Sequence, residues 1–178
     1  RRHTRYWRDW SSDVCSSDLR NVTYLRISVT DRCQMSCSYC TLQEEPREVL
    51  SAREIGELVR VAGGRLGFRK IRLTGGEPLL RADLLQVVEE VASTPEIVEV
   101  AMTTNGLLLD QQAEGLARAG LRTVNVSLDS LDPARFRELT KAGSLEAVVE
   151  GLRAAKRAGI PRRKLNVDRK STRLNSSH

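Results

Sequence analysis

Three cysteines stand in one short stretch of the chain, DRCQMSCSYC, which spans residues 31 to 40. Cys33, Cys37 and Cys40 form a CxxxCxxC pattern, and Tyr39 precedes the last thiol. Thiolates this close together bring several soft sulfur donors to one place, which suits zinc or an iron–sulfur cluster. The chemistry indicated here is metal binding, and the number of ligands decides which metal.

The two ends of the chain resemble translated DNA rather than native protein. DRKSTRLNSSH, residues 168 to 178, and DWSSDVCSSD, which begins at residue 9, are encoded by the two strands of one DNA string that resembles a sequencing-library adapter. We expect residues 1–19 and 168–178 to be non-native and residues 20–167 to form one truncated domain. This segment has no histidine, three cysteines, and 22 basic against 19 acidic side chains.

This composition excludes several classes of protein. A charge balance of about +3 indicates no general nucleic-acid surface. No run approaches about 18 apolar residues, so we expect no membrane span. Three cysteines cannot all pair in disulfides, and a closed structural zinc site needs a fourth Cys or His ligand.

A [4Fe–4S] cluster is usually bound by four thiolates, so three would leave one iron without a protein ligand. That iron is free to bind another molecule. The pattern favours such a cluster, while a catalytic zinc with three thiolates and a plain packing loop stay as alternatives.

Short β-branched runs alternate with helical patterns between residues 22 and 167. The runs are YLRISV (24–29), KIRLT (70–74), VEVAMTT (98–104), RTVNVSL (122–128) and KLNV (164–167). Between them, Ser51 and Glu54 form a capping box, and apolar spacings such as Leu116 with Leu121 indicate helices. This alternation predicts an α/β fold of parallel strands, a partial (βα) barrel truncated after about the fifth strand.

The predicted strands alternate between apolar and polar residues, although strands of a parallel sheet covered on both faces usually read as continuous apolar runs. We therefore expect the polar faces to line an open lumen, which Arg26, Lys70, Arg72 and Lys164 would make cationic. A cationic lumen prefers a polyanion such as a phosphate. The alternative is a face that is simply exposed to water.

The predicted strands end in polar or glycine residues, which would gather at one rim of a barrel. The first run is followed by Thr30, Asp31 and the cysteine loop, the second by Gly75, Gly76, Glu77 and Pro78, the third ends in Thr103 and Thr104 with Asn105 and Gly106 after it, and the fourth leads through Ser127 to Asp129. Asp129 and Asp132 are predicted to be turn and N-cap groups rather than acid–base catalysts.

CxxxCxYC after the first strand, GGEP after the second and Ser127 at the end of the fourth resemble the radical S-adenosylmethionine enzymes. The resemblance implies a [4Fe–4S] cluster whose open iron is chelated by the amino and carboxylate groups of S-adenosylmethionine. Reductive cleavage would then give methionine and a 5'-deoxyadenosyl radical that abstracts hydrogen from the substrate. Gly75 and Gly76 would let the backbone approach the ligand, and Glu77 would accept from its ammonium group.

LRISVTDRC, RKIRLTGGEPLLR, TTNGLLL and VNVSLDSLDP are similar to the GTP 3',8-cyclase family of molybdenum cofactor biosynthesis. The resemblance implies conversion of GTP to 3',8-cyclo-7,8-dihydro-GTP. It places the cluster on Cys33, Cys37 and Cys40, and S-adenosylmethionine against Tyr39, Gly75, Gly76, Glu77 and Ser127. It places GTP against Arg26, Arg72, Thr103 and Lys164, with Lys70 near the phosphates.

The chain departs from that family in two respects. Thr41, Leu42 and Gln43 stand where members of the family usually carry Met-Pro after the last cysteine. Members also have a sixth strand, a C-terminal region whose three cysteines bind a second [4Fe–4S] cluster, and a C-terminal glycine pair. We expect an N-terminal fragment that binds one cluster without cyclising GTP.

The same resemblance implies GTP as substrate, an electron donor, a cytoplasmic location, frequent homodimers and a downstream cyclic pyranopterin monophosphate synthase. Two other classes stay open. One is a different radical enzyme, such as a glycyl-radical activase or a peptide maturase, which would share the cluster but not the strand cations. The other is a non-catalytic metal-binding domain.

Overall fold

The computed structural model describes residues 22–40 and 48–167. The segments expected to be non-native, and residues 41–43, lie outside the described residues. Strands and helices alternate through most of the described part. The strands are β1 (Tyr24–Ser28), β2 (Lys70–Thr74), β3 (Glu99–Thr104), β4 (Thr123–Ser127) and β5 (Arg162–Asn166). The helices are α1 (Ala52–Leu66), α2 (Leu84–Ala92), α3 (Leu109–Arg118), α4 (Pro133–Thr140) and α5 (Leu145–Arg157), with a short 3-10 helix at Pro78–Leu80.

The five strands form one parallel sheet in the order β1-β2-β3-β4-β5. Because the order never reverses and crossovers between parallel strands are right-handed, every crossover helix lies over the same face of the sheet. This is the winding of a barrel rather than of a doubly wound sheet. The predicted fold class, a partial α/β barrel, is confirmed.

The core lies between the helices and one face of the sheet. On that face the central strands β2, β3 and β4 carry mostly apolar, fully buried side chains, as Ile71, Leu73, Met102, Val124 and Val126 illustrate. The opposite face carries the alternating polar residues that the sequence indicated, and the described helices leave it uncovered. The fold therefore concentrates hydrophobic burial on one face and leaves the other for polar side chains.

Local signals at the helix ends agree with the sequence. Ser51 accepts from the Glu54 N–H, and the Glu54 carboxylate accepts in return from the Ser51 N–H, which completes the predicted capping box of α1. Gly67, with φ of 75°, ends this helix in the left-handed conformation that glycine adopts without strain. Within the described residues no helix combines the length and the apolar character needed to cross a membrane.

Some predicted bounds differ from the structure. β2 has the predicted bounds, while β1, β3 and β4 are shorter by one or two residues. β5 begins at Arg162, two residues earlier than predicted, because main-chain pairing of Arg162 with Thr123 of β4 extends the strand irrespective of side-chain pattern. Leu121 was predicted to continue a helical pattern but lies beyond the end of α3, since the chain turns at Gly120 with φ of 105°.

A buried arginine joins three segments on the helix side of the rim. Arg81 is 9% exposed, and its guanidinium donates to the Val29 carbonyl at 2.8 Å and to the Leu50 carbonyl at 2.6 Å. It also donates to both carboxylate oxygens of Asp83, at 2.7 and 2.9 Å. Arg81 therefore ties the end of β1 and the start of α1 to the turn that precedes α2. Nothing in the sequence pattern indicated this role.

Replacing Arg81 by methionine should lower the free energy of unfolding by about 3 kcal/mol, because the buried Val29 carbonyl, the part-buried Leu50 carbonyl and the Asp83 carboxylate lose their donor. The matched control is Arg53→Met, which removes an exposed pair with Glu57 and should cost about 0.5 kcal/mol or less. Urea unfolding of both variants measures the difference. Equal costs would show that the Arg81 contacts contribute no more than an exposed pair.

Asp83 should make the fold sensitive to acid. The hydrogen bond from Arg81 lowers the pKa of the Asp83 carboxyl below its ordinary value. A lowered folded-state pKa stabilises the fold above the unfolded pKa of about 4, and that stability is lost as the pH falls through the folded-state pKa. Asp83→Asn should therefore lower stability at pH 7 and flatten its decline below about pH 4. Urea midpoints at a series of pH values test this, and parallel curves for the two proteins would contradict it.

Candidate functional site

The carboxyl ends of the strands surround a cavity of about 200 Å³. Its lining contains the three cysteines, the residues predicted to contact S-adenosylmethionine, and Thr103, which was predicted to contact GTP. These are Cys33, Cys37, Cys40, Tyr39, Gly75, Gly76, Glu77, Thr103 and Ser127. The predicted substrate residues Arg26, Lys70, Arg72 and Lys164 do not line this cavity but lie on the polar face of the sheet. The structure thus brings the predicted site together in two parts.

The glycine turn after β2 is hydrogen-bonded to the chain that leads into the cysteine loop. The Gly76 N–H donates to the Thr30 carbonyl and the Glu77 N–H to the Arg32 carbonyl, both at 2.8 Å. Cys33 follows directly after Arg32. The position of the first cysteine is therefore set by main-chain bonds to the turn after the neighbouring strand.

Both glycines are required by this close approach. A Cβ on Gly75 would overlap the main chain of Thr30, and its φ of 140° is a conformation that other residues rarely adopt. A Cβ on Gly76 would overlap the main-chain carbonyl of Arg32. The structure shows that this backbone lies close to the chain that leads into the cysteine loop. Its close approach to a ligand, which the sequence indicated, stays a prediction.

The cysteine loop is also anchored on its other side, to the end of α4. The Ser36 N–H donates to the Thr140 carbonyl at 3.2 Å, and the Ser38 N–H donates to the Leu139 carbonyl at 3.0 Å. Met35 is buried against the core. Cys37 lies between these two bonds, so its backbone is held from both sides.

The three thiols lie at one cavity, as the ligands of one iron–sulfur cluster must. All three line one cavity, yet among the described residues no three Cys, His, Asp or Glu side chains converge on a single-ion site. An iron–sulfur cluster takes one thiolate per iron and does not require such convergence. Burial raises the pKa of Cys33 and Cys37, so metal binding must displace their protons.

Glu77 is 1% exposed, and its carboxylate is held by three donors of the chain. It accepts from the Leu79 N–H at 3.0 Å, the Thr104 hydroxyl at 2.7 Å and the Asn105 N–H at 2.6 Å. Burial raises its pKa, and these hydrogen bonds oppose that shift. The expected contact with a ligand ammonium stays a prediction, and the structure adds a second task, which is to join the ends of β2 and β3.

Tyr39 is half exposed at the mouth of the cavity, and its hydroxyl donates to the Asp129 carboxylate just after β4. Burial and then this hydrogen bond raise the pKa of Tyr39, so the phenol stays protonated. The bond links the cysteine loop to the fourth strand. Asp129, predicted only as a turn residue, therefore has a defined role at the rim.

The predicted substrate residues lie in adjacent rows of the polar face. Arg26 and Arg72 are direct register partners on β1 and β2. One row nearer the rim, Thr103, Asn125 and Lys164 are partners across β3, β4 and β5. The expectation that these side chains share one face is met, and their contact with GTP stays a prediction.

Arg72 is held by a neutral partner that the sequence analysis did not single out. With its amide oriented as its surroundings require, the Asn125 oxygen accepts from both terminal nitrogens of Arg72, from Nη2 at 3.2 Å. The guanidinium also lies 5.4 Å from the ring centroid of Tyr24, and its Nε has no hydrogen-bond partner among the described residues. Asn125 thus orients Arg72 without cancelling its charge.

Lys70 differs, because its charge is shared with an acid. The Glu99 carboxylate lies 3.6 Å from Lys70 Nζ and 3.0 Å from Arg162 Nη1, and it accepts from the Thr123 hydroxyl at 2.6 Å. The hydrogen bond from Thr123, followed by that from Arg162, lowers the pKa of Glu99. This cluster lies in the rows farther from the rim, and the Glu99 carboxylate offsets part of the charge of Lys70.

A larger, open depression of about 530 Å³ lies at the opposite, amino-terminal end of β4 and β5. Its lining includes Arg118 and Arg157, which are paired with Glu114 and Glu150 at 3.7 and 2.7 Å. The amino-terminal end of a barrel usually serves stability rather than ligand binding. The carboxyl rim is therefore the better candidate.

Comparison with known families agrees with this site. The profile of the Radical SAM superfamily matches residues 27–168, which run from the last two residues of β1 through the cysteine loop to the end of β5. The chain belongs to the Radical SAM superfamily. Membership of this superfamily implies a [4Fe–4S] cluster and S-adenosylmethionine, and the thiols and glycine turn of the rim cavity are the residues that fit them.

Two curated relatives of the chain share one name within the superfamily. The chain is 50% identical over 152 residues to a GTP 3',8-cyclase of Pseudomonas syringae pv. syringae (strain B728a), covering 83% of this chain and 45% of that protein. It is 47% identical over 154 residues to a GTP 3',8-cyclase of Thermodesulfovibrio yellowstonii, covering 83% of this chain and 48% of that protein. The chain thus spans about half the length of the curated relatives it matches.

Solved structures share the fold at low sequence identity. Streptococcus suis SuiB bound to precursor peptide SuiA aligns with a TM-score of 0.68 at 22% identity, covering 82% of this chain and 32% of that one. Methylornithine synthase (PylB) aligns with a TM-score of 0.61 at 23% identity, covering 83% and 44%. These neighbours support the fold of the superfamily alone.

Replacing Gly76 by alanine should displace the chain that precedes Cys33. We expect an unfolding free energy lower by about 2 kcal/mol from overpacking against backbone, with less iron bound after reconstitution. Gly64→Ala is the control, because a Cβ at this helical position meets no atom within 4 Å. It should raise stability by about 0.5 to 1 kcal/mol and leave iron loading unchanged. Equal iron loading of the two variants would contradict the close approach.

Proposed function

We propose that this chain is part of a GTP 3',8-cyclase and that its described residues bind one [4Fe–4S] cluster, S-adenosylmethionine and the substrate. The observation that carries the proposal is the placement of Arg26, Arg72, Thr103 and Lys164 in adjacent rows of one face, inward of the cysteine-lined cavity. The curated relatives that bear this name, at up to 50% identity, support the same reading.

Cys33, Cys37 and Cys40 would hold the cluster and leave one iron for S-adenosylmethionine. When bound, these groups supply the radical chemistry that removes a hydrogen atom from the substrate. The chain's own contribution is position. The turn at Gly75 and Gly76 admits a ligand close to the backbone, while Tyr39 and Ser127 border the cavity from the loop and from β4.

The polar face would hold the triphosphate of GTP. Arginine binds phosphate through paired N–H donors. Arg72 is partly buried on this face, with its terminal nitrogens bonded to Asn125 and its buried Nε without a partner among the described residues. Because Asn125 is neutral, the orientation of Arg72 costs none of its positive charge. Arg26 and Lys164 are exposed on the same face, and Lys70 would add a charge that Glu99 partly offsets.

The remaining parts of the proposal concern the whole protein. They are a second [4Fe–4S] cluster in a C-terminal region, an electron donor, a homodimer, a cytoplasmic location and a downstream cyclic pyranopterin monophosphate synthase. The proposal also keeps residues 20–167 as the native domain, flanked by adapter-derived residues 1–19 and 168–178. The 178-residue chain, which spans about half the length of the curated relatives, would bind one cluster without cyclising GTP.

Anaerobic reconstitution of the 178-residue chain tests the cofactors first. We expect a brown protein whose reduced cluster signal changes on addition of S-adenosylmethionine. GTP affinity is then measured for Arg72→Gln, which should bind about tenfold more weakly because charge-assisted bonds to phosphate are lost. The control is Arg69→Gln. Arg69 is an exposed arginine just before β2 that donates to the Glu96 carbonyl, and its replacement should leave the GTP affinity unchanged.

The other classes give different results in the same experiment. A different radical enzyme would show the cluster and its response to S-adenosylmethionine but no loss of GTP affinity specific to Arg72→Gln. Colourless protein with tightly bound zinc would remove both enzyme assignments. Formation of the cyclic product by this chain would show that the region with the second cluster is not needed.

A further inference from the structure

Asn105 lies directly after β3 and borders the rim cavity. Its side-chain nitrogen Nδ2 is inaccessible to water and has no hydrogen-bond partner among the described residues. A buried donor without a partner costs about 1 to 3 kcal/mol, so native structures rarely keep one without a reason. A ligand that accepts from this nitrogen would remove the cost.

The direction of this donor is fixed by the turn around it. The Asn105 oxygen Oδ1 accepts from the Leu107 N–H at 3.1 Å, so the amide cannot be reversed without setting two donors against each other. The Asn105 N–H is held by Glu77 at 2.6 Å, and the Thr104 hydroxyl accepts from the Gly106 N–H at 2.9 Å. These bonds therefore hold the Asn105 amide in one orientation.

The turn by itself does not explain the choice of asparagine. Serine at position 105 would also accept from the Leu107 N–H, since it forms this kind of turn, whereas aspartate would add a second charge near the buried Glu77 carboxylate. Only the amide adds a donor. A partner for Nδ2 would therefore account for asparagine rather than serine at this position.

We propose that Asn105 is a cofactor-binding residue whose Nδ2 donates to an oxygen of S-adenosylmethionine, in the carboxylate or the ribose. The proposal rests on the cofactor part of the proposed function. The cavity that Asn105 borders is the one that holds the three cysteine thiols and the Gly75–Gly76 turn. Both kinds of oxygen accept a neutral N–H donor, and neither needs a charged partner at this position.

The test is a titration of the reconstituted, reduced chain with S-adenosylmethionine, followed by the change in the cluster's electron paramagnetic resonance signal. Asn105→Ser keeps the turn acceptor and removes the donor, and it should raise the half-saturating concentration about tenfold. Asn105→Asp removes the same donor through a different substitution and should raise it at least as much. Iron content and the thermal midpoint of each variant show whether the fold and the cluster are retained.

Two smaller ligands identify the oxygen. Methionine carries the carboxylate without the ribose, and 5'-deoxyadenosine carries the ribose without the carboxylate. If Asn105→Ser weakens binding of one of them, that ligand contains the acceptor, and either result supports the proposal. Unchanged titrations with all three ligands in a variant that retains its cluster would overturn it. A wild-type signal that ignores S-adenosylmethionine would instead overturn the proposed cofactor.

Discussion

The site depends on one main-chain contact, in which residues 30–32 lie against the turn at Gly75–Glu77. Two hydrogen bonds of 2.8 Å join these segments, and two glycines leave no side chain between them. Because of this contact, the register of β1 and β2 sets the position of Cys33. Because the donors are backbone groups, the loop begins at a place set by the sheet rather than by flexible side chains. The bonds from Ser36 and Ser38 to the end of α4 hold the other part of the loop in the same way.

A second constraint separates the two halves of the site. Strands in sequential order place every crossover helix on one face, so the other face can carry polar residues without burying them in a core. Side chains point to alternate faces along a strand, and this period of two puts Arg26, Arg72 and Lys164 on the uncovered face. The strand ends supply the rim. A ligand with an anionic part and a part that binds metal could therefore reach both from one side of the sheet.

Sequence reasoning succeeded where a pattern has one physical cause. Periodicity predicted the alternation of strands and helices, and the common face of Arg26 and Arg72 followed from alternation. The sequence placed Asn105 after the third strand and Asn125 on the polar face, but it did not show their contacts or the role of Arg81, because the bonds of Arg81 and Asn125 join segments distant in the chain. An arginine whose partners are main-chain carbonyls leaves no trace in spacing. Family resemblance, rather than spacing alone, assigned the metal and the ligands at the rim.

The side chains of β5 are exposed to water, and this exposure weakens the electrostatic interactions of the polar face. All five residues of β5 are exposed, and Leu165 on the apolar side is 52% exposed, because no described strand pairs with the far edge of β5. Lys164, Lys70 and Arg26 on the polar face are therefore solvated, whereas Arg72 is partly buried. Charges interact weakly at the dielectric constant of water. Surrounding the same face with further protein would lower that dielectric constant and strengthen each contact with phosphate. Residue identity thus decides which anion can bind, and enclosure of the face decides how tightly it is held.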